Sequence, residues 1–247
     1  MVSNWMTTHR RAAIALLLLS TSHVCAQEVV DGKKRVLLEP KIVNGDDVKD
    51  RYQYPFMVSL NYPGGGYHYC GGTLIAPDIV LTAAHCTTEV GFNRVQIGRY
   101  NLANYTESYE DFNVTAFIPH PDYDDNKIDY DYAIIKIGGK SEYEPVILDE
   151  GDVELFTAID LKVVGWGRLD ENGPIADELQ QTSLDYVNNT DCDRVMSQFG
   201  LGVTYLMMCA FGHSSDACYV RRHIPLFDFG TYFETEILHL LRTSIVF

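Results

Sequence analysis

The sequence predicts an all-β protein. Its 247 residues include 19 glycines and 16 tyrosines, and 46% are hydrophobic against 21% charged, which is the composition of a globular chain with a sizeable core. Short runs of alternating polarity, such as residues 94–98, recur between turns that contain Gly and Pro. That pattern favours strands and tight turns over long amphipathic helices.

The N-terminal segment, residues 1–26, has the pattern of a secretory signal peptide. Basic residues come first, residues 12–19 are apolar, and residues 24–26 form a small-residue cleavage site. The apolar run is shorter than the roughly 20 residues that span a bilayer. We therefore expect a secreted, extracellular protein with no membrane anchor after the signal is removed.

The cysteine count predicts disulfides and one thiol left over. The chain has six cysteines, and loss of Cys25 with the signal leaves five, since 6 − 1 = 5. Disulfides are the usual state in an oxidising compartment, and an odd number leaves one cysteine unpaired. No C-x-x-C pair is present and the histidines are scattered, so we expect no metal site and no cofactor. The five are Cys70, Cys86, Cys192, Cys209 and Cys218.

The charge of the chain limits its partners. A formal net charge of −15 would repel nucleic acids and anionic membrane surfaces. Acidity either keeps a secreted protein soluble or attracts cationic partners. Three Asn-x-Thr triplets, beginning at Asn104, Asn113 and Asn188, predict N-glycosylation.

Four motifs together carry a family resemblance. Residues 81–86, Leu-Thr-Ala-Ala-His-Cys, follow an apolar strand-like run, and residues 42–45 read Ile-Val-Asn-Gly. Residues 131–137 read Asp-Tyr-Ala-Ile-Ile-Lys-Ile, and residues 163–167 read Val-Val-Gly-Trp-Gly. This set resembles the trypsin-like serine proteases. The resemblance implies two six-stranded antiparallel β-barrels and a peptidase domain that spans residues 42–218.

The resemblance also implies roles for single residues. His85 would be the general base and acid, and Asp131 would orient it. Cleavage after Lys41 would remove a propeptide, residues 27–41, and free the amine of Ile42, as in a zymogen. Asp216, in a Ser-Asp-Ala-Cys segment, would select lysine or arginine side chains in the substrate.

Two disulfides follow from the same resemblance. Cys70 would pair with Cys86 and hold the histidine loop, and Cys192 would pair with Cys209. The family acts on protein or peptide substrates, and we expect a monomer. A calcium loop at Glu107, Glu110 and Asp111 is an alternative to a solvated acidic loop.

The resemblance ends after Cys218. The family reads Gln-Gly-Asp-Ser-Gly-Gly-Pro-Leu there, whereas residues 219–226 read Tyr-Val-Arg-Arg-His-Ile-Pro-Leu. Arg222 takes the place of the nucleophilic serine, and Val220 and Arg221 replace the oxyanion glycine and the partner of the new amine. We expect an incomplete second barrel, an unrelated tail over residues 219–247 and an unpaired Cys218.

Two functional hypotheses follow. In the first, the chain belongs by lineage to the secreted endopeptidases that cut after Lys or Arg, and is inactive because it lacks the nucleophile. In the second, it is a non-catalytic homologue that binds a protein partner as a decoy or inhibitor. A changed reading frame, a retained intron and an alternative terminal exon are three origins of the altered tail.

Overall fold

The computed structural model describes most of the predicted domain. Side chains are described for residues 45–63, 67–87, 91–125, 129–148, 161–169, 174–197 and 202–210, and beyond these only the backbone of helix and strand residues. The predicted signal peptide and Arg222 lie outside the described residues. The side chains of Ile42, Asp216 and Cys218 also lie outside them.

Strands are the main regular secondary structure of the described chain. In chain order they are β1 Val29–Val30, β2 Lys33–Lys34, β3 Lys41–Val43, β4 Asp46–Asp47, β5 Met57–Asn61, β6 His68–Ala76, β7 Ile79–Thr82, β8 Arg94–Ile97, β9 Glu110–Pro119, β10 Ala133–Ile137, β11 Asp160–Gly165, β12 Gln180–Val187, β13 Met207–Phe211, β14 Asp216–Cys218, β15 Tyr232–Glu234 and β16 Ile245–Val246. The helices are α1 His85–Thr88 and α2 Asn189–Met196.

Strands β5 to β10 form a closed barrel. Their order around the barrel is β10-β7-β6-β5-β8-β9, and every neighbouring pair is antiparallel. The polarity of the sequence accounts for this packing, since residues 110–117 of β9 alternate between half-buried and exposed, as one face of a sheet requires. Apolar side chains fill the interior, among them Leu60, Leu74, Val95 and Ile135.

The second half is an open sheet. Its main path runs β15-β13-β12-β11-β16, and β4 pairs with β12 off that path. Strands β15 and β16 come from the predicted tail; β15 pairs antiparallel with β13, and β16 pairs parallel with β11. The prediction of an all-β protein with one complete barrel and an incomplete second one is confirmed.

One buried cluster joins the two halves. Trp166 follows β11 and is fully buried with Met57 of the first barrel and Leu179 beside β12. Its indole Nε1 donates a 3.0 Å hydrogen bond to the carbonyl of Tyr100, and the backbone N–H of Leu179 donates to the same carbonyl. A buried indole needs such a polar partner, so this cluster fixes how the second sheet sits against the barrel.

The two helices are short. Helix α2 starts at an Asn188 N-cap, whose side chain accepts a hydrogen bond from the backbone N–H of Asp191. Such a cap satisfies one of the free N–H groups at a helix start. Within the described part of the chain, no helix reaches the length and apolarity needed to cross a membrane.

The predicted activation site lies in a paired strand. Strand β3 pairs antiparallel with β14, and in this register Ile42 is opposite Ala217 and Val43 is opposite Asp216. The start of the predicted mature chain and the predicted specificity segment are therefore neighbours through their backbones.

Candidate active site

His85 and Asp131 meet beside the end of β7 and the start of β10, which are paired strands of the first barrel. Nδ1 of His85 lies 2.6 Å from Oδ2 of Asp131, and the backbone N–H of His85 donates to Oδ1 over 2.8 Å. The side chains are 19% and 12% exposed, respectively. One residue therefore engages both oxygens of the carboxylate, which fixes the imidazole and the carboxylate relative to each other.

The histidine is held by the end of β7 and by a disulfide. Strand β7 ends at Thr82, whose hydroxyl donates to the carbonyl of Gly71 in β6. Helix α1 then begins at His85, and Cys86 is bonded to Cys70 in β6 with Cα atoms 6.2 Å apart. The predicted Cys70–Cys86 disulfide is formed, and it ties the histidine loop to the barrel wall.

Asp131 lies in a tight turn just before β10. The backbone N–H of Tyr132 donates to the carbonyl of Tyr130 over 2.8 Å, so the chain turns at Asp131. Tyr130 has a φ of 56°, a left-handed conformation that non-glycine residues adopt uncommonly. This turn directs the carboxylate toward His85.

Tyr123 borders the pair. Its hydroxyl donates to Oδ1 of Asp125 over 3.0 Å. Burial, followed by the negative charge of Asp131, raises the pKa of Tyr123 above its usual range. The phenol therefore stays protonated, and its single O–H is donated to Asp125 and not to Asp131.

A metal site at the histidine is excluded by the disulfide. Cys70, His85 and Cys86 offer ligand atoms within 4.8 Å of one another. Zinc binds cysteine as a thiolate, and both sulfur atoms are bonded to each other here. This cluster cannot hold zinc while the disulfide is intact.

The three acidic residues considered for calcium do not converge. Glu107 binds Arg99, with Oε1 2.7 Å from Nε, and Glu110 accepts from the hydroxyl of Ser141. Asp111 pairs with Arg94 on the surface. Among the described residues they form no cluster of three ligand groups. Each carboxylate is already engaged by a different protein partner, so the calcium hypothesis is not supported.

The second predicted disulfide joins α2 to β13. Cys192 and Cys209 are bonded with Cα atoms 6.4 Å apart, and both are buried with Met196. The three predicted glycan acceptors differ in exposure: Asn104 and Asn113 are exposed, whereas Asn188 is half-buried as the cap of α2.

Several residues of the site carry no sequence signal. His120 stacks on Tyr130 with ring centroids 4.6 Å apart, and the hydroxyl of Thr204 donates to Asp129 over 2.7 Å. Neither pair has a motif or a spacing that predicts the contact, because each contact depends on how the chain folds around the turn at Asp131.

Comparison with known proteins agrees with this geometry. The family model described as Trypsin matches residues 42–219. Human chymotrypsin-like elastase family member 3A is 34% identical over 189 residues, covering 72% of this chain and 69% of the relative. The dog chymotrypsin-like elastase family member 1 is 33% identical over 180 residues, covering 70% and 69% respectively.

Proposed function

Because the chain belongs to the trypsin family of serine proteases, we propose that it is a secreted protease homologue that retains the histidine–aspartate pair but does not hydrolyse peptides. The N-terminal signal pattern of residues 1–26 supports secretion. Arg222, at the nucleophile position of the family motif, supports inactivity.

The hydrogen bond between His85 and Asp131 carries the assignment to peptidase lineage. An ionised carboxylate can only accept hydrogen bonds, so the Nδ1 of His85 donates the proton at 2.6 Å. Nε2 then keeps its lone pair, and this is the tautomer that takes a proton from a nucleophile in acyl transfer. Asp131 would orient the ring and stabilise its charged form.

Without a nucleophile, the His85–Asp131 pair cannot carry out acyl transfer. A guanidinium is always protonated and has no lone pair to attack a carbonyl. Val220 and Arg221 replace the glycine and aspartate of the family motif, and the loss of an oxyanion donor alone costs about 100- to 1,000-fold in rate. An intact base without a nucleophile gives no acyl-enzyme.

The test is a peptidase assay of the secreted full-length chain. We expect no hydrolysis of casein or of Lys, Arg and Ala peptide esters, and no labelling by a serine-directed fluorophosphonate. His85→Ala is the matched control. Hydrolysis that disappears in His85→Ala would overturn the proposal, whereas hydrolysis that persists in it comes from another enzyme in the sample.

The substrate class of the lineage is proposed from Asp216. A carboxylate at the base of a cleft pairs with a lysine or arginine side chain, whereas the relatives that match this chain are named elastases. Calorimetric titration with benzamidine distinguishes a pocket for lysine or arginine from an elastase-like pocket, because this aromatic cation binds only where a carboxylate faces the pocket. We expect binding that is lost in Asp216→Asn; no binding to the unsubstituted chain contradicts the Lys/Arg assignment.

A partner-binding function is the second candidate. No tail strand is part of the closed first barrel, and the Cys70–Cys86 bond lies within that half, so the barrel can present a folded surface without turnover. Such a decoy would bind a protein inhibitor of trypsin-like proteases. A stable complex on a sizing column supports this function, and the absence of any complex at micromolar concentrations contradicts it.

A further inference from the structure

Asp131 depends on its backbone for its orientation. Both of its carboxylate oxygens point to His85, one to the ring and one to the backbone N–H. A small rotation of the turn would break both hydrogen bonds together. The groups that hold the turn therefore decide whether the pair forms.

The turn is held in an unfavourable conformation. Tyr130, directly before Asp131, has a φ of 56°. In this left-handed region the Cβ of an ordinary residue lies too close to the following carbonyl, and such residues persist only where their surroundings fix them. The sequence offers no glycine at this position to relieve the strain.

One side chain contacts the residues on both sides of Asp131. The ring of His120 stacks on Tyr130 at 4.6 Å with an interplanar angle of 7°, and lies 4.7 Å from the ring of Tyr132. The backbone N–H of His120 donates to the carbonyl of Tyr132 over 3.0 Å. His120 thus contacts the turn through its ring and through its backbone.

Asp129, directly before Tyr130, is hydrogen-bonded by a residue of the second half of the molecule. The hydroxyl of Thr204 donates to Oδ1 of Asp129 over 2.7 Å, and the backbone carbonyl of Asp129 accepts from the N–H of Asp124. With Asp129 fixed, the strain at Tyr130 cannot relax toward the N-terminal side. Tyr130 itself is contacted by the stacked ring of His120.

We propose that His120 is a positioning residue for Asp131: its ring holds Tyr130 in the left-handed conformation that places the carboxylate against His85. This proposal rests on the proposed role of the His85–Asp131 pair. It does not depend on turnover, because the pair forms without a substrate or a nucleophile.

The experiment is proton NMR of the full-length chain labelled with ¹⁵N-histidine. The Nδ1 proton of His85 in a short bond to a carboxylate gives a resonance far downfield of the amides. We expect this resonance in the unsubstituted protein and in His120→Phe, which keeps an aromatic face. We expect its loss in His120→Leu, which has no ring, while the amide spectrum remains that of a folded chain.

The outcomes distinguish the positioning role of His120 from the proposed role of the His85–Asp131 pair. A downfield resonance unchanged in folded His120→Leu overturns the positioning role and leaves the proposed function intact. Its absence from the unsubstituted protein overturns both, because no carboxylate is then positioned. Loss in His120→Phe as well as in His120→Leu also overturns the stacking argument, since it assigns the effect to the hydrogen bond that Nδ1 of His120 accepts from the N–H of Asp122. Should His120→Leu fail to fold, Tyr130→Leu removes the same stack from the other side and is expected to lose the resonance; retention there overturns the proposal.

Discussion

Arg99 and Glu107 form an ion pair inside the protein. Nε of Arg99 lies 2.7 Å from Oε1 of Glu107, and the two side chains are 1% and 3% exposed. The guanidinium also donates to the carbonyls of Asn101 and Leu102, and Glu107 accepts from the backbone N–H of Tyr100 and Asn101. The pair therefore organises the loop that joins β8 to β9.

The first prediction concerns this ion pair. Glu107→Gln leaves the buried charge of Arg99 without its counter-ion, and breaking a buried pair costs about 3 to 5 kcal/mol. We expect a loss of about 3 kcal/mol in the free energy of unfolding in urea. Asp111→Asn is the matched control, because the Arg94–Asp111 pair is 27% and 29% exposed and such pairs contribute about 0 to 1 kcal/mol. Equal losses in the two variants would contradict the prediction.

The second prediction concerns the stability of the protein in acid. His68 is half-buried and packs edge-to-face against Trp166, and burial, followed by the charge of Arg99, lowers the pKa of His68 from 6.5 to about 4. Asn61 donates to the hydroxyl of Ser59, and we infer that this hydroxyl in turn donates to Nδ1 of His68, 2.7 Å away. The folded state then holds the neutral ring, and protonation would remove this hydrogen bond.

The sign of the pH effect follows from this shift. Since the folded pKa lies below the unfolded one, the contribution of His68 is complete above pH 6.5 and is lost as the pH falls toward about 4. The loss reaches up to about 3 kcal/mol, at 1.36 kcal/mol per unit. Urea unfolding at neutral and acid pH measures it. In His68→Gln we expect the free energy of unfolding to fall less between neutral and acid pH than in the unsubstituted protein. An equal fall would assign the acid sensitivity to other groups.

The third prediction ranks the glycan acceptors. Asn104 is exposed in a turn where its Oδ1 accepts from the N–H and hydroxyl of Thr106. The amide nitrogen of Asn188 donates to Asp191 while its oxygen caps α2, and a glycan there would displace the donor. We expect a glycosidase-sensitive mass loss that shrinks in Asn104→Gln and not in Asn188→Gln. A mass loss that shrinks in Asn188→Gln and not in Asn104→Gln would contradict the prediction, and would mean that the Asn188 cap of α2 forms after glycosylation.

The fourth prediction concerns cleavage after Lys41. A protease binds its substrate as an unpaired extended chain, and residues 41–43 pair with residues 216–218. Cleavage there therefore requires the two strands to separate. We expect trypsin to cut at Lys41 more slowly than at Lys49, which is exposed outside the assigned strands. N-terminal sequencing of the first fragments checks the order, and an early Ile42 N-terminus would mean that the pairing opens readily.

The sequence predicted the parts of the site that lie in motifs. His85 and Asp131 were identified from their neighbours in the chain, and the structure brings them together. The turn at Tyr130 was not predictable, because a tyrosine gives no sign of a left-handed φ and the stack that holds it comes from His120. The Arg99–Glu107 pair was missed for a similar reason, since charged residues are expected on the surface.

Some strands were likewise predictable from the sequence, and others were not. The alternation along β9 marks a half-buried strand, whereas β5 is buried at every position and its apolar run fits a buried helix equally well. The tail strands β15 and β16 pair through their backbones with β13 and β11, and no alternation in the tail predicted where they would add. Local pattern thus predicts strands with one exposed face, and long-range pairing decides the others.

The two halves differ in what they offer to another copy of the chain. The first barrel closes on itself, so each of β5 to β10 has a neighbour on both sides. The second sheet ends in β15 and β16, whose outer backbone groups have no ladder partner among the described strands. An unpaired edge strand can pair with a strand of another chain, and a short edge strand reduces this tendency. Association between copies of the chain is therefore expected to begin at the edges of the second sheet, and the closed barrel that carries the histidine offers no such edge.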